Sequence, residues 1–173
     1  MKEIRWHARA GQGAKTASQL YATAMLRSGR SVQAFPEYGP ERRGAPLRAY
    51  TRVDDKPIRR HDSVTNPDAV VVLEPSLLHE VDVAQGLATG GIVLLNGDTV
   101  PAELRGLDVR CVPAAELAGG GTFVNLVMAG ALAAALGERS ADPVADAAVE
   151  LLGAKVPEER IRSAVEEGFA CLR

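Results

Sequence analysis

The amino-acid sequence predicts an α/β fold: a Rossmann-like, doubly wound, mostly parallel sheet with a β-hairpin insertion. Three observations carry that expectation. The chain opens with an alternating apolar stretch, a glycine turn, an amphipathic helix and a second apolar stretch, which is the signature of a strand–helix–strand unit. Residues 69–73 and 92–95 are short, continuous apolar runs, as strands buried on both faces of a parallel sheet require. Residues 124–136 are apolar nearly all round, which suits a helix packed inside the molecule or against a partner.

The elements follow in order. Ile4, Trp6 and Ala8 alternate with polar residues and read as the first strand. Arg9-Ala10-Gly11-Gln12-Gly13 is a tight turn. Ala17, Leu20, Tyr21, Ala24 and Met25 then recur at helical spacing over residues 15–27, and Gly29 stops that helix. Residues 31–35 read as the second strand, and 36–46 as a loop rich in Gly, Pro and charge. Residues 47–53 alternate as a half-exposed strand. Asp54-Asp55-Lys56-Pro57 turns the chain, and Ile58 is expected to begin a return strand that completes the hairpin. Residues 75–83 are expected to form a short helix and 109–112 a weaker strand. Residues 144–152 and 157–170 form a helical end, with Pro157 in the first turn and Glu158 and Glu159 at the positive pole of the second helix. No repeat or long linker divides the chain, so one domain over residues 1–173 is expected.

Composition narrows the function classes. Hydrophobic residues make up 46% and charged residues 24%, the balance of a globular chain. A net charge of -2 gives no general attraction to nucleic acid or an anionic membrane, and 4% aromatic content leaves few platforms for stacking bases. The two cysteines, Cys111 and Cys171, have no paired ligand spacing, so no zinc or iron–sulfur set is expected here, and two buried free thiols are expected instead of a disulfide. The first six residues are too polar for a signal peptide. The longest nearly apolar run falls short of the ~20 residues a bilayer span needs. A cytoplasmic location is therefore expected.

Two segments are candidates for contacts with a ligand. Ala8-x-Ala10-x-x-Gly13 stands where a dinucleotide fingerprint would stand, but alanine occupies two of its three glycine positions, and a methyl there obstructs the approach of a pyrophosphate. Glu37 follows the second strand, yet Pro36 beside it disturbs the usual ribose geometry. Lys15 and Thr16 do not complete a P-loop, because the G-x-x-x-x-G-K-[ST] spacing is absent. The turn reads as a packing device whose helix-start amides remain available to an anion. In the second segment, residues 36–46, glycines and prolines fix turns while Tyr38, Arg42 and Arg43 offer contacts. Arg48, Arg52, Lys56, Arg59, Arg60 and His61 follow. This basic stretch is either a solvated face or a surface for an acidic partner or for the phosphates of a ligand such as coenzyme A. No catalytic set is visible: His7 reads as structural, His79 as exposed, and no G-x-S-x-G occurs. Glu74 closes a buried strand at the sheet edge where α/β proteins place ligands, and Asn125 lies in the first turn of the apolar helix.

Ile4-Arg5-Trp6-His7-Ala8-Arg9-Ala10-Gly11-Gln12-Gly13-Ala14-Lys15-Thr16-Ala17 resembles the opening of the gamma subunit of 2-oxoacid:ferredoxin oxidoreductases, the pyruvate synthase or pyruvate:ferredoxin oxidoreductase family. Residues 36–46, 52–58, 67–73, 122–125 and 128–132 resemble later parts of that subunit in the same order. The family usually has glycine where this chain has Ala8 and Ala10. The resemblance implies a subunit of an enzyme that converts a 2-oxoacid, pyruvate first, and coenzyme A to acyl-CoA and carbon dioxide, with ferredoxin as electron acceptor. It implies alpha, beta and delta partners in a heterotetramer, with thiamine diphosphate, Mg and iron–sulfur clusters on those partners. For this chain it implies no catalytic residue, no metal ligand and no activity in isolation. Coenzyme A or subunit contacts are implied at Gly11, Gln12, Gly13, Lys15, Thr16, Tyr38, Gly39, Arg42, Arg43 and Asn125. Two other readings remain open at this point: a stand-alone Rossmann-like module for a nucleotide or coenzyme A, and the equivalent gamma domain of an indolepyruvate or aryl-glyoxylate oxidoreductase.

Overall fold

A computed structural model describes residues 1–37, 44–120 and 122–173. Strand β1 (Lys2–Arg9) lies near the middle of a six-stranded sheet of order β2-β3-β1-β4-β5-β6. On one side β4 (Ala69–Val72), β5 (Ile92–Asn96) and β6 (Asp108–Val112) continue parallel to β1. On the other side β3 (Pro46–Asp54) runs antiparallel to both β1 and β2 (Ser31–Glu37), so β3 alone opposes the remaining strands.

The winding reverses at β1. Helix α1 (Ala14–Arg27) carries the chain from β1 out to β2, whereas β4, β5 and β6 step the other way. Right-handed connections place crossovers on opposite faces when the direction of stepping reverses. The core divides accordingly. Ile4, Trp6, Val71 and Leu94 pack with residues of α1, α3 (Val124–Ala135), α4 (Asp142–Leu152) and α5 (Glu158–Cys171). Val70, Val72, Val93 and Leu95 meet Leu77, Val83 and Leu104 on the other face. Alternate residues of β4 and β5 thus enter two different clusters, which is why those runs are apolar without a break.

The hairpin differs from the sequence expectation. Residues 55–68 contain no strand, and Ile58 does not pair with β3. Ala49, Thr51 and Val53 of β3 need apolar neighbours on the α1 face, which β1 and β2 supply. Lys56, Arg59 and Arg60 could not, and Pro57 lacks an amide to donate. Residues 75–83 also form less helix than expected: a 3₁₀ turn spans Pro75–His79 alone. A second such turn, Ala102–Leu104, and the short helix α2 (Ala114–Leu117) have no counterpart in the sequence expectation.

Helix α3 is buried against α5 at two glycines. A Cβ on Gly130 would lie 2.0 Å from the Val165 carbonyl oxygen, and one on Gly168 1.9 Å from that of Val127. Only a hydrogen at each position lets the two backbones meet. Both cysteines are free, but neither is buried as expected. Cys111 on β6 is half-buried, while Cys171 falls on an exposed position near the end of α5. Among the described residues, no helix is long and apolar enough to cross a membrane.

Candidate functional site at the β1–β4 switch point

The carboxyl ends of β1 and β4 flank the place where the winding reverses, and open α/β sheets take their ligands at such a point. Four segments converge there: the turn after β1, the residues returning into β3, the turn after β4 and the start of α3.

Gly11 and Gly13 have φ of +98° and +85°, while no non-glycine residue described has a positive φ. Ala8 and Ala10 therefore take ordinary backbone, and Ala8 is fully buried in the strand. The alanines do not strain the turn, because its left-handed positions fall on the glycines that remain. Gly13 is needed for a second reason. A Cβ there would lie 2.7 Å from Asn125 Nδ2, so the starts of α1 and α3 touch. Gly13 is also the N-cap of α1 and supplies no side-chain cap. The first amide bonded back to Gly13 belongs to Ala17. The amides of Ala14, Lys15 and Thr16 thus lack intrahelical acceptors and sit at the positive helix pole, with the Lys15 side chain exposed beside them.

The turn is fastened by side chains. The Arg9 amide donates to Gln12 Oε1 at 2.7 Å, and Gln12 Nε2 donates to Glu74 Oε2 at 2.6 Å. Glu74 Oε1 accepts from the Ser76 amide at 3.1 Å. The Arg9 guanidinium donates to Ser76 Oγ at 2.9 Å, to Glu80 at 2.5 Å and to the Gly44 carbonyl at 3.1 Å. The Ala10 amide donates to the Ala45 carbonyl at 2.9 Å. Partial burial pushes the Glu74 carboxyl up, but hydrogen bonds from Gln12 and Ser76 outweigh that and leave it below its ordinary value. The bond from Arg9 likewise holds Glu80 low. Both stay ionised at neutral pH. Asn96 performs a similar task one strand further on, donating to the Leu73 carbonyl at 2.9 Å and accepting from the Ala115 amide at 3.2 Å.

Other predicted residues fall elsewhere. His7 is buried and its pKa is pushed down to about 3, first by burial and then by Arg5 and Arg48. Its Nε2 accepts from Arg5 Nε at 3.1 Å, and Arg5 in turn donates to the carbonyls of Val83 and Gln85. This neutral imidazole is structural. The run of basic residues does not form one face. Arg52 is fully buried, bonded to Glu3 at 2.8 Å and to the Asp62 carbonyl at 2.7 Å, and Arg60 pairs with Asp62. Tyr38, Gly39, Arg42 and Arg43 lie outside the described residues. The structure therefore brings together Gly11, Gln12, Gly13, Lys15, Thr16 and Asn125. Sequence reasoning missed Arg9, Ser76 and Glu80. A usable signal was present for Arg9: polar residues stand at or just past the ends of consecutive parallel strands, at Arg9, Glu74 and Asn96. Among the described residues, no three His, Cys, Asp or Glu side chains form a metal-ligand group.

These features define a class: a doubly wound α/β domain whose switch point offers backbone donors, one lysine and fixed carboxylates. Residues 3–171 match the family described as pyruvate ferredoxin/flavodoxin oxidoreductase, and the chain belongs to that family. It is 42% identical to the "pyruvate/ketoisovalerate oxidoreductases common subunit gamma" of Thermococcus kodakarensis, over 98% of this chain and 96% of that one. The crystal structure of the pyruvate oxidoreductase subunit PORC of Thermotoga maritima superposes with a TM-score of 0.81 at 35% identity, covering 98% of this chain and 95% of that one. A 2-oxoglutarate:ferredoxin oxidoreductase from Magnetococcus marinus shares the fold, with a TM-score of 0.81 at 18% identity. There the chain spans 99% of its own length but 31% of the longer polypeptide.

Proposed function

We propose that this chain is the gamma subunit of a multisubunit 2-oxoacid:ferredoxin oxidoreductase, with pyruvate the first substrate to test. The near full-length likeness to a gamma subunit from Thermococcus kodakarensis carries the reading. The complete enzyme oxidises a 2-oxoacid by two electrons, releases carbon dioxide and joins the acyl group to the coenzyme A thiol, with the electrons leaving on ferredoxin. Thiamine diphosphate with Mg supplies the carbon–carbon cleavage chemistry, and iron–sulfur clusters carry the electrons. We place these groups on alpha, beta and delta partners in a cytoplasmic heterotetramer. The donor set of this chain supports that placement, because its two cysteines stand on different elements, one half-buried and one exposed.

The contribution of this chain is to orient coenzyme A. The open amides of Ala14, Lys15 and Thr16, with the Lys15 ammonium, suit a phosphate group. Gly11, Gly13 and Asn125 shape the approach. The Magnetococcus marinus enzyme, described with coenzyme A and succinyl-CoA bound, supports the choice of ligand. The test is purification of the tagged chain from its native cells. It should bring down the three other subunits and reduce viologen with a 2-oxoacid and coenzyme A, while the chain alone should not turn over. Fully active enzyme that lacks this chain would contradict the reading. A panel of 2-oxoacids given to the complex assigns the substrate.

A further inference from the structure

We propose that Glu74 is a positioning residue for the switch-point turn and acts through Gln12; this rests on the reading that the turn contacts coenzyme A. The direction of each hydrogen bond is fixed by what the backbone can do. The Arg9 amide can only donate, so Gln12 must turn Oε1 toward it. Gln12 Nε2 is then left as a donor, and residue 74 has to accept. The Ser76 amide, on the other side of residue 74, also can only donate. Residue 74 therefore needs two acceptor atoms and no donor, which describes a carboxylate and excludes an amide.

Stability does not explain such a relay. Gln12 and Ser76 are exposed, and polar contacts at exposed sites add little to folding. Position does. Gly11 and Gly13 give the turn wide conformational freedom, and α1 has no side-chain cap of its own. The relay joins the turn to the end of β4 and so sets where the amides of Ala14, Lys15 and Thr16 point. A ligand that is held by amides already aimed binds more tightly than one that must order them.

The experiment uses the assembled enzyme and coenzyme A. Glu74→Gln leaves one acceptor where two are needed. Kd by calorimetry and KM for coenzyme A should both rise about tenfold. KM for the 2-oxoacid, turnover at saturating coenzyme A and the melting temperature of the complex should not move. Gln12→Ala, which disturbs no buried group, should match it and serves if Glu74→Gln fails to assemble. The exchange Gln12→Glu with Glu74→Gln restores every bond. The Arg9 amide and the side-chain nitrogen now at position 74 both donate to the carboxylate at position 12. The Ser76 amide donates to the side-chain oxygen at position 74. Affinity should return to within about twofold of the parent. Failure of the exchange to restore affinity overturns the relay. Lys15→Ala separates the two levels. If it weakens coenzyme A binding while Glu74→Gln and Gln12→Ala do not, the relay is wrong and the contact stands. If none of the three weakens binding, the contact itself falls, and the relay with it.

Discussion

Where α3 crosses α5, backbone meets backbone at Gly130 and Gly168. At the carboxyl ends of β1 and β4, separate segments are instead joined by Gln12, Glu74, Arg9 and Glu80, much of it in contact with solvent. Close packing in the first region is sensitive to a single carbon atom, whereas the polar joints of the second add little to folding free energy. The difference separates two duties of one sheet. Its interior holds the fold, and its switch-point edge holds a geometry. Substitutions in the interior should lower stability, and substitutions at the edge should alter binding with stability nearly unchanged.

The largest effect is expected inside. Arg52→Ala takes from buried Glu3 its nearer guanidinium and leaves the half-exposed Arg60 at 3.8 Å; removing one partner of a buried ion pair costs about 3–5 kcal/mol. Urea unfolding of the chain measures it. Gly168→Ala puts a methyl against the Val127 carbonyl and should cost about 1–3 kcal/mol, despite the better helix propensity of alanine.

The pH dependence comes next. The folded pKa of His7 is about 3, against an ordinary value near 6.5. Between those values the unfolded chain binds a proton that the folded chain refuses. Stability is thus fully present above about pH 6.5 and falls as pH drops toward 3, by up to about 1.4 kcal/mol per pH unit from this residue. Unfolding of the parent and of His7→Gln from pH 4 to 7 should show the steeper slope in the parent; equal slopes would refute the assignment. The smallest effect on stability is expected at the edge. Glu80→Gln removes an exposed ion pair with Arg9 and should leave the midpoint of the same unfolding curve nearly unchanged.

Much of this division was legible in the sequence. The unbroken apolar runs of β4 and β5 announce burial on two faces, and the glycine turn between β1 and α1 marks the switch point. The partner of β3 was not legible. Asp54-Asp55-Lys56-Pro57 is a good turn, but register depends on which neighbour can bury Ala49, Thr51 and Val53, and that is decided by α1 and β1 far along the chain. Burial of Arg52 was hidden for a related reason. Its charge reads as surface until Glu3, 49 residues away in sequence, arrives beside it together with Asp62. At the site, Gln12 and Glu74 stand 62 residues apart, so neither residue alone reveals the bond that joins them. Glu74 could be suspected from its place at a strand end, but its polarity requirement comes from the amides of Arg9 and Ser76, which only the fold places around it.

Hydrogen exchange of the assembled complex, with and without coenzyme A, tests the contrast between edge and interior most directly. Coenzyme A should slow exchange at the amides of residues 10–16 and leave those of α3 and α5 as they were. Saturating binding with no change at residues 10–16 would contradict the account.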